Sequence, residues 1–206
     1  MITIVDYGAG NVGSIKNMLR KLGHKSLVTA DLADIEAADK LILPGVGAFD
    51  TGMGNLAKRG MVDMLNEKVL GQKTPILGIC LGAQLLTKGS EEGNMPGLGW
   101  VDAETVAFRF PTDGPELIVP HMGWNTIQTR CEHPVLTNVD ESFRFYFVHS
   151  YHLRCFDESG VLCSTHYGYD FASGIRRDDH VVGLQFHPEK SHRFGMQVLT
   201  SFADQL

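Results

Sequence analysis

The chain has 206 residues, 43% of them hydrophobic and 20% charged, which is enough apolar material for one substantial core and a single domain over 1–206. A net charge of -6 with scattered basic residues excludes the electrostatic footprint of a nucleic-acid binder. Apolar runs such as Ile2-Thr3-Ile4-Val5 fall far short of the roughly 18 to 20 residues that cross a membrane as a helix.

The four cysteines, Cys80, Cys131, Cys155 and Cys163, lack metal-ligand spacing, and a chain with a good core needs no disulfides. Reduced thiols, no metal and no cofactor are expected. Met1 leads directly into a strand pattern, with no basic segment and cleavage site of a signal peptide, so a cytoplasmic location is the default expectation.

In chain order, the first half alternates β-rich runs with helical patterns, the mark of βαβ units and a parallel sheet covered on both faces. Ile2 to Asp6 reads as a strand. Asn11 is a helix N-cap before Val12, Ile15, Met18, Leu19 and Leu22 at helical spacing, with Gly23 as the stop. A short strand near Ser26 to Thr29 follows, then a third from Lys40 to Leu43 that ends in Pro44-Gly45-Val46-Gly47. A helical stretch runs from about Asp50 to Leu70. Pro75 to Ile79 reads as a buried strand feeding straight into a helix that begins at Cys80. From Gly97 onward the pattern is β-rich, near Trp100 to Phe108, Phe143 to His149, Val161 to Thr165, Phe171 to Arg176 and Val181 to Phe186. An exposed loop is expected from Phe110 to Glu116, and a helix from about Ser191 to Ala203 closes the chain. This order predicts a doubly wound, mostly parallel α/β sheet with an antiparallel β extension.

Gly78-Ile79-Cys80-Leu81-Gly82 has the form Gly-x-nucleophile-x-Gly, the cysteine version of a nucleophile elbow. Glycines on both sides leave room for a sharp turn, and the free amides opening the next helix favour a thiolate. The bland alternative is a buried structural cysteine between packing glycines. A nucleophile needs a base, and His187 in Gln185-Phe186-His187-Pro188-Glu189 is the best placed of the nine histidines, because Glu189 can fix its tautomer and stabilise the imidazolium. His149 and His121 are the next candidates. The amides of Val46, in the glycine loop, and of Leu81 are suited to an oxyanion.

These residues, together with Asp6-Tyr7-Gly8-Ala9-Gly10-Asn11, Leu43-Pro44-Gly45-Val46-Gly47-Ala48-Phe49, Ser90-Glu91-Glu92, Pro120-His121-Met122-Gly123-Trp124-Asn125, Tyr146-Phe147-Val148-His149-Ser150-Tyr151 and Gln185 to Ser191, resemble the class I, triad-type glutamine amidotransferases. The resemblance runs nearly end to end and is nearest to the glutaminase subunits of imidazole glycerol phosphate synthase in histidine biosynthesis. It implies a Cys80, His187, Glu189 triad acting on glutamine, with Gly47, Gln84, Glu92, Ser150 and Tyr151 holding the substrate. It also implies a heterodimer in which ammonia passes to a cyclase subunit, and places Asn11, Trp124, Asn125, Tyr146 and Lys190 on the partner-facing surface. Ala83 departs from the methionine common at that position. A paralogous ammonia-supplying subunit for sugar amidination in surface polysaccharide, or a stand-alone cysteine hydrolase, are the alternatives.

Overall fold

The computed structural model describes residues 1–110 and 117–206; apart from Phe110, the loop expected at 110–116 lies outside the described residues. Short aliphatic runs make β1 (Ile2–Val5), β3 (Lys40–Gly45) and β4 (Ile76–Cys80) buried on both faces, while β2 (Ser26–Thr29) is half-buried. Between them lie α1 (Val12–Lys21), α2 (Leu32–Glu36), α3 (Phe49–Lys58) and α4 (Met61–Asn66). Asn11 caps α1 by accepting the Ser14 amide at 3.3 Å, and Gly23 leaves the helix at φ +87°, a value glycine adopts at little cost.

β4 turns directly into α5 (Leu81–Leu85). The second half supplies β5 (Ala103–Ala107), β6 (His121–Thr126), β7 (Gln128–Thr129), β8 (Arg144–His149), β9 (Tyr151–Cys155), β10 (Val161–Tyr167), β11 (Tyr169–Arg177) and β12 (Val181–Leu184), closed by α6 (His192–Gln205). The main sheet runs β2-β1-β3-β4-β12-β11-β10-β7, with β9 joined to β11 and β5 to β9. Pairings from β2 through β12 are parallel, and those beyond β12 antiparallel. This is the expected doubly wound sheet with its antiparallel extension. β6 and β8 form a separate antiparallel ribbon.

Strand alternation sorts the core onto two faces. Leu41, Leu43, Ile76 and Val181 pack with α3, α4 and α5. Ile42, Leu77, Ile79, Val182 and Leu184 pack with α1, α6 and the aromatics Phe145, Phe147 and Phe186.

Several elements differ from the sequence reading. The helical stretch expected over 50–70 is broken at Gly60, which stands at φ +66° between α3 and α4, and it ends in a π turn over Glu67–Gly71. α2, β6, β7 and β9 were not expected. α2 has five residues and Ile35 as its buried one, too little for a helical period to register. β6 carries its apolar side chains Met122 and Trp124 exposed and His121 buried, which inverts the usual alternation.

Candidate active site

The register of the central strands assembles the site. Gly45 of β3 lies opposite Cys80 of β4, and Leu184 of β12 lies opposite Ile79. The residues that follow β12 therefore emerge beside the end of β4, at the carboxyl edge of the sheet where open α/β folds form their crevices.

Cys80 occupies φ +54°, ψ -111°, a conformation that costs a non-glycine residue about 1 to 3 kcal/mol and persists only where its surroundings enforce it. Three glycines make the turn possible. A Cβ on Gly82 would overlap the Leu43 carbonyl oxygen, one on Gly78 would come within 2.8 Å of the Gly82 carbonyl oxygen, and one on Gly45 within 2.5 Å of the Tyr7 hydroxyl. The helix behind the elbow is only five residues long, so its contribution rests on the free amides of its first turn rather than on a long macrodipole.

His187 and Glu189 form a buried pair, Nδ1 to Oε1 2.8 Å, with side chains 1% and 2% exposed. Nδ1 carries the proton toward the carboxylate, which leaves Nε2 for the cavity, where it has no aligned hydrogen-bond partner among the described residues. Burial pushes the imidazole down, but the sulfur of Cys80 and the carboxylate of Glu189 outweigh it and lift the pKa to about 9. The His187 main chain is clamped as well: its amide donates to the Tyr146 carbonyl (2.9 Å), and its carbonyl accepts from the Ser191 hydroxyl (2.6 Å). The Ser191 oxygen in turn accepts the Tyr146 amide (2.9 Å).

The other candidate bases are committed elsewhere. His149 Nδ1 lies 2.8 Å from the Tyr151 carbonyl, which can only accept, so Nδ1 is the protonated nitrogen and Nε2 the acceptor. His121 Nδ1 must then donate to His149 Nε2 at 2.9 Å, and His121 Nε2 accepts from Asn125 at 3.2 Å. Burial holds both rings neutral, His121 down to about 4 and His149 to about 3. Among the remaining cysteines, burial pushes Cys155 and Cys163 up to about 12.

A cavity of about 500 Å³ opens over the sulfur, lined by Val46, Gly47, Cys80, Leu81, Gln84, Glu92, Pro120, Val148, His149, Ser150, Tyr151 and His187 among others. All five residues expected to hold substrate are there, with both expected oxyanion residues. The acidic pair divides: Glu91 salt-bridges Arg109 at 2.9 Å, whereas Glu92 accepts the Phe49 amide at the start of α3 (2.8 Å) and faces the cavity.

The residues expected on the partner surface cluster only in part. Trp124 is 45% exposed and packs edge-on to Tyr146, with Lys190 5.7 Å from the Tyr146 ring. His192, which the sequence did not single out, stacks on Trp124 at 5.4 Å. Asn125 is turned the other way, donating to the His166 carbonyl (2.9 Å) and approaching His121. Asn11 serves as the cap of α1.

Three residues near the elbow escaped the sequence reading. The Val148 carbonyl lies 4.0 Å from Cys80 Sγ. Gln185, fully buried, lies 3.9 Å from the same sulfur through Nε2. Tyr7 is fully buried with no partner for its hydroxyl among the described residues, and burial and the nearby Cys80 hold its pKa above the ordinary phenol value.

Comparison with known proteins identifies the family. Residues 3–206 match the family model described as glutamine amidotransferase class-I. The chain is 50% identical over 205 residues to imidazole glycerol phosphate synthase subunit HisH 2 of Methanococcus maripaludis, covering 100% of both chains. It is 46% identical to subunit HisH of Sulfurimonas denitrificans, over 98% of this chain and 97% of that one. Among solved structures, a glutamine amidotransferase superposes with a TM-score of 0.74 at 20% identity, covering 98% of this chain and 96% of the other. No described helix is long and apolar enough to cross a membrane. End-to-end similarity to synthase subunits favours that reading over a sugar-amidating paralogue or a stand-alone hydrolase. The chain belongs to the class-I glutamine amidotransferases, in the family of the HisH subunits of imidazole glycerol phosphate synthase.

Proposed function

We propose that Cys80, His187 and Glu189 form the triad of a glutaminase that supplies ammonia to a synthase subunit. The observation that carries this is the strained Cys80 at the floor of a cavity whose wall holds an imidazole already paired, through its far nitrogen, to a buried carboxylate.

Cys80 passes its proton to His187 Nε2 as Sγ adds to the side-chain amide carbon of glutamine, and the developing oxyanion is met by the amides of Val46 and Leu81. His187, held as imidazolium by Glu189, gives its Nε2 proton to the departing nitrogen, which leaves as ammonia. Water then attacks the glutamyl thioester, His187 Nε2 takes its proton and returns it to the departing sulfur, and glutamate leaves as the thiol is restored. Gly47, Gln84, Ser150 and Tyr151 shape the substrate pocket, and the Glu92 carboxylate suits the α-ammonium group.

The ammonia passes to a cyclase subunit that makes imidazole glycerol phosphate in histidine biosynthesis, the two chains forming a cytoplasmic heterodimer. Trp124, Tyr146 and Lys190 form the docking patch, an exposed aromatic anchor with a cation beside it. Met122, exposed on β6 two residues before Trp124, extends its apolar area. Covalent labelling by a glutamine-analogue electrophile tests the chemistry: an adduct on Cys80 is expected, and its absence would sink the glutaminase reading. Cys80→Ala should abolish glutamine-dependent synthesis by the reconstituted complex while ammonia-dependent synthesis survives.

A further inference from the structure

Cys80 Sγ faces two polar groups of opposite character. The Val148 carbonyl, 4.0 Å away, can only accept, and so favours the protonated thiol. The Gln185 side chain, 3.9 Å away, presents its Nε2, a donor that gains strength as negative charge appears on sulfur.

The direction of that amide follows from its neighbours. Gln84 Nε2 donates to the Tyr151 carbonyl at 3.1 Å. Because a carbonyl cannot donate, the Gln84 amide cannot be reversed without setting two acceptors face to face. Its second hydrogen then goes to Gln185 Oε1 at 3.2 Å. With its oxygen so engaged, Gln185 turns its nitrogen to Cys80. Gln185 is fully buried and its main-chain amide is tied to Ser173 (2.9 Å), so no water competes for the donor.

We infer that Gln185 is a further catalytic residue, whose side-chain N–H stabilises the Cys80 thiolate as His187 takes the proton and again when the thioester is hydrolysed. The inference rests on Cys80 being the nucleophile. A buried amide donor in a low-dielectric pocket stabilises an anion more than it would in water. It also makes Gln84 bifunctional, since the residue that lines the substrate cavity is the one that orients the Gln185 amide.

The pH dependence of Cys80 alkylation by iodoacetamide in the full chain tests this, read by mass spectrometry of the Cys80 peptide so that the other cysteines do not interfere. Gln185→Met keeps the volume and removes the donor. Its alkylation midpoint should rise by about one pH unit, the scale of one hydrogen bond to a charged group, with kcat for glutamine about tenfold lower and KM little changed. Gln185→Glu, of the same shape, replaces donor by acceptor and should move the midpoint further the same way. A folded variant with an unmoved midpoint overturns the inference. The unmutated protein gives a reading independent of folding: the Gln185 side-chain N–H resonance should titrate with the midpoint of Cys80 alkylation, and a resonance indifferent to it also overturns the inference. Failure of the glutaminase reading looks different, because the glutamine-analogue electrophile then leaves Cys80 unlabelled in the unmutated protein.

Discussion

Replacing Glu189 by Gln keeps the shape of the buried pair and removes its charge. In the folded protein His187 titrates near 9 against an ordinary value of 6.5, so the imidazolium is bound more tightly than in the unfolded chain by about 3 kcal/mol. The raised value fixes the sign. The contribution is complete below pH 6.5, where the unfolded chain also carries the proton, and it is lost as pH rises through about 9. In Glu189→Gln one of the two groups opposing burial is gone. The His187 midpoint should fall, and the decline of stability between those two pH values should shrink in proportion. Urea denaturation on either side of that window, with imidazole NMR to follow His187, measures both quantities. Glutamine turnover should lose its alkaline shoulder, since the imidazolium that protonates leaving ammonia is no longer held. An unchanged slope of stability against pH and an unchanged His187 midpoint would show that Glu189 does not hold the proton.

Gly82→Ala should destabilise the chain by at least about 3 kcal/mol, because its Cβ meets the Leu43 carbonyl, a main-chain atom of a central strand; thermal denaturation measures it. Ser191→Ala leaves the Tyr146 amide and the His187 carbonyl without their shared hydroxyl, a loss on the order of 2 kcal/mol, and kcat for glutamine should fall more than KM rises. Trp124→Ala should weaken binding of the synthase subunit about thirtyfold with no change in the melting temperature of the isolated chain; calorimetry and circular dichroism separate the two.

The proposed catalytic pair was legible because its signals are local. A glycine-flanked cysteine at a strand end and a histidine two residues before a carboxylate are visible without knowing what packs against them. The proposed substrate-pocket residues were legible only as matches to a family pattern, since Gly47, Gln84, Glu92 and Ser150 come from separate segments that meet at one cavity and not through spacing. Gln185 and Ser191 sit inside a quoted motif, yet their roles were hidden because their partners lie 105 and 45 residues away. The β6 ribbon was missed for a related reason. Its exposed side is apolar, with Met122 63% exposed, a pattern that belongs to the proposed docking surface and not to this chain's own core.

That ribbon links the proposed docking surface to the chemistry through a single strand. On β8 the side chains of Phe145, Phe147 and His149 are buried, while Tyr146 and Val148 lie half-buried on the opposite face. The Tyr146 ring contacts Trp124 and Lys190 on the outside, and its main chain holds His187 directly and through Ser191. Two residues on, the Val148 carbonyl faces the Cys80 sulfur, and His149 and Ser150 continue into the cavity wall. Among the described residues β8 has no strand partner besides β6, and its other edge is held by the His187–Ser191 segment. A partner docked on the proposed patch at Trp124 and Tyr146 would therefore bear on the one strand that touches both the base and the acceptor facing the nucleophile.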